Sequence, residues 1–196
     1  MPVLTIFAGP NGSGKSSLIR QVEFEGRENL LEPDAIARRI RPDLPHRAGI
    51  SAGREVLRRT AEYLQSGASF AIETTLAGNW TISAIRAALE RSFFTRLFYI
   101  CLNSPERSIQ RVRERAAQGG HDVPDLDVRR RYTRSLSNAR RVLPIVHQGL
   151  VFDNSGVEPG RFSRCARDCC SIVPMKSHRG RQRCWKRPDV RTRLKA

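Results

Sequence analysis

Four groups of residues in this 196-residue chain have the types and spacing to do chemistry. The first is Gly9-Pro10-Asn11-Gly12-Ser13-Gly14-Lys15-Ser16, followed by Ser17, which fits the pattern G-x-x-x-x-G-K-[ST]. At that spacing the glycines let backbone N–H groups wrap a β-phosphate. Lysine then bridges the β- and γ-phosphates, and the Ser16 hydroxyl is the expected ligand to Mg²⁺. A dinucleotide turn of the G-x-G-x-x-G type is excluded, because Ser17 stands where the third glycine would. The second group is Glu32-Pro33-Asp34-Ala35, with Asp34 placed 19 residues after Lys15. Its carboxylate could act as a general base toward a hydroxyl, or serve as an ordinary helix N-cap. The third is Glu73-Thr74-Thr75, where Glu73 could orient Mg²⁺-bound water, hold a substrate hydroxyl, or end a strand in solvent. The fourth is a set of arginines. Arg107, Arg111 and Arg115 share one helix face, as do Arg130 and Arg134, and Arg131 lies among the latter. Like charges stacked in this way repel unless an anion lies between them, and a triphosphate is such an anion. From this set Arg111, Arg115 and Arg131 are the candidates to reach a γ-phosphate, against the plainer reading of solvated faces paired with Glu106 and Glu114.

These residues need an alternating α/β scaffold to meet, and the sequence has one. Val3–Ala8 reads as a buried strand feeding the glycine-rich turn and a helix from about Lys15 to Phe24. Asn29–Leu31, Ser69–Glu73, Thr95–Leu102 and Leu150–Asp153 read as further strands. Helical patterns begin at Asp34 and cover Ser51–Gln65, Thr81–Arg91, Pro105–Gln118 (capped by Ser104) and Val128–Val142. Gly119–Asp127 reads as a loop. About five strands with intervening helices predict a three-layer α/β/α P-loop nucleoside-triphosphatase fold with a mainly parallel sheet and an arginine-rich lid. In such open sheets ligands bind outside the carboxyl ends of the strands, which puts Asp34 and Glu73 in the same crevice as the phosphate loop.

Composition narrows the function classes. The net charge is +16, but it is unevenly spread. Residues 1–160 hold 23 basic against 17 acidic side chains, a net charge of +6, while residues 161–196 hold 12 against 2, or +10. Lys15 is the only lysine before Gly160. No apolar run is long enough to span a bilayer, and MPVLTIFAGP lacks the basic start of a secretion signal, so a cytoplasmic protein is expected. An LSGGQ segment and an N-K-x-D base-reading motif are both absent, which argues against a transporter-type ATPase and a GTPase. A small phosphotransferase remains.

Taken together, GPNGSGKSS, PDAIA, FAIETTL and RVRERAAQGGHDVP followed by RRRY resemble the zeta toxin family of P-loop kinases over roughly residues 1–160. The resemblance implies ATP and Mg²⁺ as cofactors and the sugar hydroxyl of UDP-N-acetylglucosamine as acceptor. It further implies Asp34 as base, Glu73 and Thr75 as substrate contacts, later arginines steadying the phosphates, and an antitoxin protein as partner. In one respect the chain departs from the family, which has a basic residue two positions after the threonine where this chain has Ala77.

Lesser candidates have plainer readings. His121 is read as ordering its loop, Trp80 as packing the following helix and Cys101 as core. Residues 161–196, with Cys165, Cys169, Cys170, His178 and Cys184, match nothing before them in composition. They could be a basic arm for nucleic acid or an out-of-frame reading of a GC-rich gene, and the latter is favoured. The cysteine spacing does not fit the paired modules of a zinc site. The alternative function is therefore a nucleic-acid-associated P-loop NTPase using this tail. Because the charge excess sits there, a nucleic-acid partner is not favoured.

Overall fold

In a computed structural model, residues 1–120, 123–156 and 163–164 are described. Strand β1 (Val3–Ala8) is buried at every position, as expected of a strand covered on both faces by crossover helices. Its side chains divide by the period of two. Leu4, Ile6 and Ala8 join one apolar cluster and Phe7 another on the opposite face. Phe7 stacks on Phe98 at 4.9 Å and meets Phe24 edge-on at 4.8 Å.

Beside β1 lie β2 (Leu30–Leu31), β3 (Phe70–Thr74), β4 (Phe94–Cys101), β5 (Gln148–Asp153) and β6 (Ser163–Arg164), in the order β2-β3-β1-β4-β5-β6. The first five are parallel. The sixth pairs antiparallel with β5, Phe152 opposite Arg164. Helix α1 (Lys15–Gln21) supplies Leu18 and Ile19 to the Phe7 face. The other face is covered by α2 (Pro33–Ile40), α3 (Gly49–Ser66), α4 (Trp80–Glu90) and α6 (Asp125–Val142), through residues such as Ile36, Val56, Ile85 and Ala139. Helix α5 (Pro105–Ala117) forms a small separate cluster in which Ile109 and Val112 meet Val123 and Val128. These layers make the three-layer α/β/α P-loop fold that the sequence predicted.

Two helix ends differ most from expectation. Helix α1 ends at Gln21, leaving Phe24 to pack on Phe7. Helix α6 starts at Asp125 rather than Val128, because Asp125 and Asp127 complement the helix dipole in its first turn and do not end it. Ser104 caps α5 as expected, its hydroxyl accepting from Arg107 N–H at 3.2 Å. Ser163 and Arg164 lie just beyond Gly160. His121 and the rest of the tail, including its cysteines, are outside the described residues. Among the described residues no helix is long and apolar enough to cross a membrane.

Candidate functional site

At the carboxyl end of β1, the strand flanked by β3 and β4, the chain turns through Gly9–Gly14 into α1. Two glycines in this turn are obligatory. A Cβ on Gly9 (φ +151°) would lie 2.2 Å from the Ile100 carbonyl oxygen, and one on Gly12 (φ +72°) would press on Ser108 and Arg111. The loop is braced from outside by side chains distant in sequence. Ser108 Oγ donates to Asn11 O, and Asn154 Nδ2 donates to Ser13 O at 2.8 Å. Asn154 is itself buried. Within the loop, Asn11 Oδ1 and Ser13 Oγ are buried without a partner among the described residues, so the cradle carries polar capacity that its own fold does not use.

Lys15 is 8% exposed, and its Nζ donates to Gly9 O and Pro10 O at 3.1 Å each. Glu73, at the carboxyl end of β3, reaches the same point. Its Oε1 lies 3.9 Å from Lys15 Nζ, and its Oε2 accepts from Ser16 Oγ at 3.5 Å. Burial lowers the Lys15 pKa, opposed by the charges of Glu73 and Asp34 and reinforced by Arg115. Burial also raises the pKa of Glu73, with Lys15 opposing and Glu32 and Asp34 reinforcing. Ser16 and Glu73 offer hard oxygen donors side by side, which suits Mg²⁺ shared with phosphate oxygens. Among the described residues no cluster of three His, Cys, Asp or Glu side chains is arranged to hold a metal by itself.

Asp34 is exposed in the first turn of α2, and its charge acts on both Lys15 and Glu73. The N-cap of α2 is Glu32, not Asp34, and the Glu32 side chain makes no capping hydrogen bond. It acts on Glu73 instead, helping to raise that carboxyl's pKa. Glu32 is therefore a site residue that the sequence reading passed over. The only signal for it was its place two residues before Asp34, at the end of β2.

Thr75 follows β3 directly and is half-buried, as is Ala77. Trp80 packs on the main core, and Cys101 is buried with its thiol donating to Phe152 O. The arginines separate by role. Arg113 pairs with Asp125 and Arg129 with Glu106, tying α5 to α6, while Arg130 pairs with Asp127 inside α6. Arg107 and Arg111 both donate to Gly156 O, at 3.3 Å each, beyond the end of β5. The Arg111 guanidinium pKa is lowered by burial and by Arg107. Arg115 is exposed, and its charge acts on Lys15. Arg131 is half-buried on α6.

A glycine cradle at the end of a central parallel strand, a buried lysine and a hydroxyl beside a carboxylate define a P-loop domain of the nucleoside-triphosphate-binding class. Comparison with known proteins specifies it further. A family model described as an AAA domain matches residues 4–137, and the chain belongs to that family. An uncharacterised protein of Haemophilus influenzae is 34% identical over 126 residues, covering 64% of this chain and 89% of that protein. Among solved structures, a candidate kinase from Chloroflexus aurantiacus is similar in fold, with TM-score 0.54 and 21% identity over 79% of this chain and 89% of that one. The AvrRxo1-ORF1:ORF2 complex with ATP matches at TM-score 0.67 and 18% identity, over 92% of this chain and 66% of that one. The PezAT chromosomal toxin–antitoxin system of Streptococcus pneumoniae matches at TM-score 0.57 and 14% identity, over 85% and 70%. At these identities the three structures share the fold.

Proposed function

We propose that this chain is an ATP-dependent phosphotransferase that moves the γ-phosphoryl group of ATP to a hydroxyl. The observation that carries the reading is the mutual action of Lys15, Glu73 and Asp34 at the mouth of the phosphate loop. A hydrolase needs only to place water, whereas an exposed carboxylate on a separate element beside the lysine suits a base facing a second substrate. In the proposed reaction the Gly9–Ser17 loop binds the phosphates and Lys15 spans the β- and γ-phosphates. Asp34 takes the proton of the acceptor hydroxyl as its oxygen bonds to phosphorus, and the bond from the γ-phosphorus to the bridging oxygen breaks to release ADP. A magnesium ion held through Ser16, with Glu73 beside it, would neutralise charge on the transferring group. Arg115 is the lid arginine best supported for the γ-phosphate, by its action on Lys15. Arg111 and Arg131 are assigned to steadying the lid and the nucleotide.

The finer reading follows the resemblance to zeta toxins: a cytoplasmic kinase acting on a UDP-N-acetylglucosamine-like sugar nucleotide, with Glu73 and Thr75 contacting the acceptor and an antitoxin as partner. Of these points, the fold shared with the PezAT toxin–antitoxin system supports the antitoxin partner. The test uses γ-labelled ATP, a panel of sugar nucleotides and polyols, and a chain ending after Arg164, which keeps β6. Label should appear on an acceptor, and Asp34→Asn should cut transfer by about 10²-fold or more while ATP affinity holds. Hydrolysis stimulated by DNA or RNA and lost steeply with salt, with no labelled acceptor, would favour the nucleic-acid reading instead.

A further inference from the structure

Residues 75–79 join β3 to α4 and carry Thr75, the proposed acceptor contact. Within them Leu76 is fully buried yet has φ +56°, a left-handed conformation that L-residues with a side chain adopt only at a steric cost. No strand or helix bond supports its two peptide groups, and side chains hold them instead. Leu76 N–H donates to Thr74 Oγ1 at 3.0 Å, and the Thr74 hydroxyl sits 3.4 Å from that of Thr81. On the other side, Asn138 Nδ2 donates to Leu76 O at 2.9 Å and to Gly78 O at 3.4 Å. Asn138 is 6% exposed and projects from α6, the helix that follows the lid. Its Oδ1 is taken by Arg141 Nη1 at 3.3 Å, so the amide has its donor end on the loop.

We infer that Asn138 is a positioning residue for the acceptor side of the site: its amide clamps the strained Leu76 peptide and thereby fixes the backbone that carries Thr75. The phosphate loop has braces of its own in Ser108 and Asn154, and it meets this segment through Gly9 N–H, which donates to Thr74 O at 3.3 Å. The clamp also makes the lid helix and the acceptor loop one mechanical unit, because α6 is tied to α5 through Arg113–Asp125 and Arg129–Glu106. For the role of Thr75 the inference rests on the proposed phosphotransfer, but the clamp itself can be read without any acceptor.

The experiment compares Asn138→Ala and Asn138→Asp with Ser135→Ala in the full chain. Aspartate keeps the shape but turns an oxygen toward two carbonyl oxygens. Ser135 is a buried polar residue on the same helix, bonded to Tyr99 and not to the loop. Amide hydrogen exchange is followed over 74–78 and over 11–17, affinity is measured with a fluorescent ATP analogue, and transfer to UDP-N-acetylglucosamine is set against hydrolysis by water. Both Asn138 variants should speed exchange in 74–78 by about tenfold or more, with exchange in 11–17 and ATP affinity within about twofold. The ratio of transfer to hydrolysis should fall by about tenfold, and Ser135→Ala should do none of this. Exchange in 74–78 matching wild type, or equal loosening in Ser135→Ala, overturns the clamp. If the wild-type protein transfers phosphate to no acceptor, the proposed function fails, and hydrogen exchange alone decides the clamp.

Discussion

Replacing both Lys15 and Glu73 by neutral near-isosteres should stabilise the nucleotide-free protein while destroying its use for ATP. The pair stands 3.9 Å apart with side chains 9% and 18% exposed. At an effective dielectric of about 20 their attraction is about 4 kcal/mol, whereas removing each ion from water costs several kcal/mol. Both pKa directions agree that desolvation wins, since burial is the largest influence on each group. Lys15→Met with Glu73→Gln should therefore gain about 1–2 kcal/mol, or about 2–8 °C in melting temperature for a chain of this size. Each single variant should fall below the double, because it leaves one charge buried without its partner. The pH dependence gives a second reading of the same energetics. Between the unfolded pKa of Glu73 and its raised folded value, the folded state holds more protons than the unfolded. Wild-type stability should thus fall as pH rises through that window, and Glu73→Gln should remove the fall. The assay is thermal unfolding without nucleotide from pH 4 to 8, paired with titration of a fluorescent ATP analogue. A double variant that melts below wild type would show that the ion pair stabilises the fold and would refute the reasoning.

Other outcomes follow from individual contacts. Gly9→Ala must move the Ile100 carbonyl or the loop, so it should cost about 1–3 kcal/mol of stability and most nucleotide affinity, by melting and by titration. Ser104→Ala removes the cap on α5 and should cost about 1 kcal/mol in denaturant unfolding while leaving ATP affinity unchanged. Arg115→Ala should slow phosphoryl transfer by about tenfold or more, with little change in melting temperature because the side chain is exposed.

Much of the candidate site was legible because its parts are local. The phosphate loop is one continuous segment whose glycines, lysine and serine must stand in fixed order, and the apolar strand before it locates it on a sheet. Asp34 and Glu73 were candidates from strand-end position alone, and the charges of both act on Lys15, as the rule for open parallel sheets leads one to expect. What escaped were residues whose role depends on a partner far along the chain. Glu32 reads as a residue before a proline, yet its charge acts on Glu73, 41 residues on, because β2 pairs with β3. Asn138 reads as one polar residue in an arginine-rich helix, yet it holds the Leu76 peptide 62 residues away. The arginines were indistinguishable by spacing. Their separation into helix ties, Gly156 donors and one neighbour of Lys15 arises from how α5 and α6 pack.

Order along the chain thus determined the class of ligand, the parallel sheet and the carboxylates available to it, since backbone wrapping and strand burial are written in short-range pattern. Packing of segments tens of residues apart decided which charges act on one another, which arginine acts on the lysine and what holds the loop after β3. Desolvation and hydrogen-bond geometry act through space, and no local pattern encodes them.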